Sequence, residues 1–139
     1  MFLRRCVGLV NAQNVSMPTQ ADLLRERTKR FAVEILKFVR CLPSDPASSA
    51  VGRQLAKAGS SISANYRAAG RARSRAEFIA RLGVVVEEAD ETEHWLQIIQ
   101  ETGLSARDTK LSELTSESAQ LRAIFCAALR TARRNHKPR

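Results

Sequence analysis

The run EEADETEH, residues 87–94, holds the residue types most able to do chemistry. Glu91 and His94 stand three apart and so share a helix face. Di-iron carboxylate bundles draw ligands from two pairs with this Glu-x-x-His spacing. Such a site also needs a second pair and further inward carboxylates from other helices. The only other histidine, His136, sits in the C-terminal run and completes no second pair. The stretch therefore reads as a solvated acidic face. A Ser-His-Asp arrangement would have to rely on His94 in mid-helix, with no nucleophile elbow to present a serine. The phosphate-cradling patterns GxGxxG and GxxxxGK[ST] do not occur. No catalytic, cofactor-binding or metal-binding residue is assigned, and the expectation is a protein without enzymatic activity or cofactor.

The basic residues are the better lead. Lys and Arg number 23 against 14 acids, a net charge of +9, which points to an anionic partner, nucleic acid first. At about 100° per residue, Arg53, Lys57, Arg67 and Arg71 fall on one side of a helix, opposite Val51, Leu55, Ala58, Ile62, Tyr66 and Ala69. Lys37 and Arg40 lie on the outer face of the preceding helix, with Lys29 and Arg30, and Arg73 follows in the next turn. We take Arg53, Lys57, Arg67, Arg71, Arg73, Lys37 and Arg40 as the candidate nucleic-acid contacts. They would touch phosphates, which position a strand without reading its sequence. Aromatic residues are only 5% of the chain, too few on these faces for base stacking.

Opposite charge follows directly along the chain. Residues 47–73 hold five bases and no acid, whereas residues 75–101 hold seven acids and two arginines. Glu77, Glu88, Glu91 and an exposed Trp95 cluster on one side of the third helix, away from its core stripe. Two readings stand level: an oligomer interface made by these four residues, or Arg–Glu pairs between the second and third helices of one chain.

Four amphipathic segments must position these groups. The first runs from about Asp22 to Cys41, with Leu24, Phe31, Ile35, Phe38 and Leu42 on one face. LPSDP ends it. The second carries the arginine stripe through GSSISANYRAAG without a phase break, and Gly59 is tolerable there if it marks a close helix contact. Ser74 and Glu77 form a capping box for the third, whose stripe is Phe78, Leu82, Val85, Ala89, Leu96 and Ile99, with Gly103 as its stop. The fourth starts near Ser112 and buries Leu114, Leu121, Phe125 and Ala128. Four helices with short connections predict an all-α fold, an antiparallel up-down-up-down bundle over residues 22–134. Residues 1–21 are expected to be a disordered extension, of which 1–16 read as lying upstream of the start, and residues 135–139 a basic tail. Cys6, Cys41 and Cys126 form neither an even set nor a CxxC pair, which argues for a reducing compartment, the cytoplasm. No apolar run approaches the ~18 residues of a membrane span.

SISANYRAAGRARSRAEFIARL followed by EEADETEHWL resembles the family of four-helix-bundle proteins encoded in intervening sequences of bacterial 23S rRNA genes. That family also takes in the accessory variability protein of diversity-generating retroelements. The resemblance extends over nearly everything after Met17. It is strongest at Gln54-Leu55, Ser61, Asn65, Arg71 to Ser74, Glu77-Phe78, Leu82 and Glu88 to Trp95. It implies a bundle assembled as a ring-like homopentamer and no enzymatic activity. For the retroelement branch it also implies nucleic-acid binding and contact with a reverse transcriptase. The family's N-I-A-E-G motif is here Asn65-Tyr66-Arg67-Ala68-Ala69-Gly70, so an acid is lost and an arginine gained. The expected function is a non-enzymatic, oligomeric nucleic-acid-binding scaffold. The alternative is an interaction module whose charges serve subunit or partner contacts.

Overall fold

The computed structural model describes residues 16–136. Four helices make up the fold: α1 (Gln20–Arg40), α2 (Pro46–Ala69), α3 (Arg75–Thr102) and α4 (Asp108–Arg134). No strand occurs among the described residues. Each helix packs against its chain neighbours and α4 closes back on α1, while diagonal pairs stay apart. The α1–α4 seam is the loosest of the four.

Local chemistry fixes the helix ends. Thr19 caps α1 by accepting from the Asp22 N–H at 3.1 Å, and the Asp22 carboxylate accepts from the Thr19 N–H at 3.0 Å. Asp22 thus sits inside the first turn, and the helix begins two residues before the expected start. Asp45 accepts from the Ser48 N–H at 2.9 Å, with Pro46 in the first helical position, where no donor is missed. Ser74 accepts from the Glu77 N–H at 3.0 Å as the capping box requires. The Glu77 carboxylate, however, reaches past the cap to the Arg73 N–H at 2.9 Å. Gly103 ends α3 with φ +66, a left-handed conformation that glycine adopts without steric cost. The fourth helix starts at Asp108, four residues before Ser112, behind Arg107, which makes no side-chain cap.

The core joins Phe31, Ile35 and Phe38 to Leu55 and Ile62, Leu82, Val85, Leu96 and Ile99, and Leu121 and Phe125. The expected stripes therefore meet. Ala128 is the exception: it is exposed, and Leu129 and Ala132 are buried instead. From Phe125 the chain steps four residues and then three to stay on the inward face. Tyr66 reaches this core edge-on to Phe125, ring centroids 5.0 Å apart. The residues assigned to a disordered extension lie outside the described residues up to position 15, and residues 16–19 carry no regular structure. Of the tail, residues 137–139 likewise lie outside.

Candidate nucleic-acid interface

Up-down-up-down connection brings the starts of α1 and α3 to the same end of the bundle as the finishes of α2 and α4. Charge is unevenly shared between the two ends. With each helix cut at its midpoint, residues 16–30, 58–88 and 121–136 carry thirteen Lys and Arg against five Asp and Glu, net +8. Residues 31–57 and 89–120 carry six against nine, net −3. The bundle is thus electrically polar along its axis.

The seven candidate contacts divide on this axis. Arg67 and Arg71, at the close of α2, and Arg73, in the turn that follows, lie at the positive end. Lys37, Arg40 and Arg53 lie toward the opposite end; Arg53 and Arg67 are roughly 21 Å apart at the rise of an α-helix. Lys57 is midway, and its charge acts on Glu88 of α3. All seven are exposed. Lys37 is engaged by Glu34 at 3.1 Å, but the other six form no ion pair with a described carboxylate. The Arg–Glu pairs envisaged between the second and third helices are therefore not formed by Arg53, Lys57, Arg67, Arg71 or Arg73.

Arg67 and Arg71 form a ridge with a cleft on each side. Toward α1 the cleft, about 390 Å³, adds Arg25 and Lys29 but also Asp22 and Glu26. Toward α3 the cleft, about 530 Å³, adds Arg73 and Arg81 against Glu77 alone. Arg25 belongs here because its guanidinium lies across the close of α2: a Cβ at Gly70 would come within 3.3 Å of its Nη1. Arg25 also pairs with Asp22 within its own helix. Arg25 and Arg81 escaped sequence reasoning as members of this group, and Lys29 was read only as an outer base of the first helix, because nothing within one helix shows which end of its neighbour it lies beside. The antiparallel topology itself was the available signal, since it sets the start of α1 beside the end of α2.

The four candidate interface residues on α3 are also brought together. Glu77 is held by the Arg73 N–H and by Arg81 Nε at 3.1 Å, which keep its carboxyl below the usual range. Burial, and then the charge of Glu91, push the Glu88 carboxyl up. Glu91 accepts from the Trp95 indole N–H at 3.1 Å. Trp95 is not the detached, exposed ring that the sequence led us to expect. It is half-buried and packs on the edge of the core, because α3 carries apolar groups well beyond one stripe. Val84 is the apolar side chain of this face left most exposed, at 37%. His94 is exposed beside Trp95, ring centroids 5.1 Å apart, and among the described residues no metal-ligating group of three or more includes it or Glu91. No described helix is long and apolar enough to cross a membrane.

Residues 23–127 match the model of the 23S rRNA-intervening sequence protein family. The chain is also similar to a crystal structure from Bacteroides thetaiotaomicron VPI-5482, a protein of unknown function from the S23 ribosomal protein family. The two are 27% identical, with a TM-score of 0.73, over 81% of this chain and 99% of that one. No curated protein matches the chain.

Proposed function

This chain belongs to the 23S rRNA-intervening sequence protein family, and from that premise we propose that it is a non-enzymatic scaffold that binds the phosphate backbone of nucleic acid. The positive end of the bundle is the binding surface. One observation carries the reading: Arg67, Arg71 and Arg73 are exposed at the end of net charge +8 with no carboxylate partner among the described residues. Cations that bridged the helices to one another would be paired with carboxylates. Unpaired cations gathered at one end repel one another, a cost that an arriving polyanion removes. The contacts are to phosphate, so binding follows the strand and not its sequence. The test is a titration of RNA and of DNA at several salt concentrations. The logarithm of affinity should fall linearly with the logarithm of salt, by roughly 0.7–0.9 per phosphate neutralised. Salt-independent binding, or none, overturns the reading.

A second reading concerns assembly, and Val84 favours it. Val84, Trp95 and Glu91 line one side of α3, with an apolar group exposed two turns before a carboxylate whose partner is the indole of its own helix. We propose that this face joins copies of the chain into a homo-oligomer. Such an oligomer would repeat the positive end and multiply its hold on one strand.

A further inference from the structure

The two clefts beside the Arg67–Arg71 ridge differ in a way that the backbone-binding reading does not use. The α1-side cleft balances four cations with two carboxylates. The α3-side cleft sets four guanidinium groups, from Arg67, Arg71, Arg73 and Arg81, against one carboxylate. Ala64 and Ala68, small residues that add little bulk, complete its lining. At about 530 Å³ it has the size of a small-ligand site. Its lining is cationic, however, and suits an anion rather than an apolar molecule.

Glu77 lies at the edge of this cleft. Its two carboxylate oxygens accept from the Arg73 N–H at 2.9 Å and from Arg81 Nε at 3.1 Å. An anion from the chain itself thus occupies one edge of the cleft, while the Arg67, Arg71 and Arg73 side chains pair with no described carboxylate. A phosphodiester inside a strand brings one negative charge. A terminal phosphomonoester brings nearly two at neutral pH and three strong acceptor oxygens, a closer match to converging guanidinium forks.

Resting on the backbone-binding reading, we infer that the α2–α3 cleft is a site for the terminal phosphomonoester of a nucleic-acid strand, held by Arg67, Arg71, Arg73 and Arg81. Arg67 and Arg71 face both clefts, so the strand leaves the end site over the ridge toward Arg25 and Lys29. Glu77 competes with the phosphate for Arg81 and weakens its hold.

The experiment compares one short RNA carrying a 5′-phosphate with the same RNA carrying a 5′-hydroxyl, by fluorescence anisotropy. The phosphorylated strand should bind at least about tenfold more tightly, the value of a charge-assisted hydrogen bond or two. Arg73→Gln with Arg81→Gln should erase that preference, bringing the two strands to within about twofold of each other whatever the lost backbone contact costs both alike. Glu77→Gln, which removes no arginine, should widen the preference. Equal binding of the two strands, with salt dependence intact, sinks the end site and leaves backbone binding standing. Binding of neither strand sinks both. If Arg25→Gln with Lys29→Gln erases the preference instead, the site is in the wrong cleft. If a nucleoside monophosphate competes as well as the phosphorylated strand binds, the cleft takes free phosphate esters and the strand-end inference fails.

Discussion

Gly59 of α2 lies directly against Ile35 of α1: a Cβ at Gly59 would stand 2.8 Å from Ile35 Cγ2. Ile35 is fully buried and β-branched, so its methyl cannot swing aside. Gly59→Ala should therefore destabilise the bundle by about 1–3 kcal/mol through overpacking, despite alanine's better helix propensity. Gly83 of α3 is the control, because nothing lies within 4 Å of its added Cβ. Gly83→Ala should stabilise by up to about 1 kcal/mol. Denaturant melts of the two variants should move in opposite directions. A shift in the same direction would refute the close α1–α2 approach.

The positive end, rather than the whole α2 stripe, should govern nucleic-acid affinity. Arg67→Gln with Arg71→Gln should weaken all sequences alike and lower the log–log salt slope by roughly 0.7–0.9 for each phosphate left unneutralised. Lys37→Gln with Arg40→Gln removes the same charge at the opposite end and should change affinity far less. Both double variants should melt within about 0.5 kcal/mol of wild type, as surface changes do. Equal weakening in the two would show that net charge alone matters.

Carboxylates should make stability pH-dependent with two opposite signs. Glu34, held by Lys110 and Lys37, and Glu77, held by the Arg73 N–H and Arg81, have carboxyls below the usual 4.5. Their folded-state values lie below the unfolded ones, so their stabilisation is present above pH 4.5 and is lost as pH falls through the folded values. Glu88 is shifted the other way, by burial first and Glu91 second, against Lys57. Its ionisation opposes folding as pH rises above 4.5. Glu88→Gln should therefore gain stability on wild type between acid and neutral pH, by under about 0.5 kcal/mol for a partly exposed group. A loss at neutral pH would show instead that the Glu88 charge has a partner, as it would across a subunit interface.

The α3 face is best tested at Val84, since truncating Trp95 would also disturb the core edge on which it packs. Val84→Glu with Glu91→Lys should lower the assembly's mass in native mass spectrometry and leave the helical circular dichroism unchanged. A wild-type protein that is monomeric from the outset would end the assembly reading.

Much of this molecule was legible in its residues. Period 3.6 places Phe31, Leu55, Leu82 and Leu121 on inward faces whatever the partners are, since a helix must bury its apolar stripe. Ser74 and Gly103 mark the bounds of α3 by local hydrogen bonding and backbone freedom alone. Where the apolar pattern was broad, as around Trp95, or where a one-residue step decided burial, as at Ala128, periodicity was too coarse. Starting the first helix at Asp22 mistook a first-turn acid for the cap, because Thr19 and Asp22 satisfy each other's backbone donors reciprocally.

The separation of charge belongs to the tertiary structure. The sequence determined by itself that α2 carries an arginine face and that α3 is acidic, for both are properties of single helices. It did not determine that Arg25 and Lys29 of α1 and Arg81 of α3 would flank Arg67 and Arg71 while Lys37 and Arg40 would not. Antiparallel packing decided that. It reverses chain direction at each connection, so groups distant in sequence meet at one end, and groups on one stripe are parted by the length of a helix.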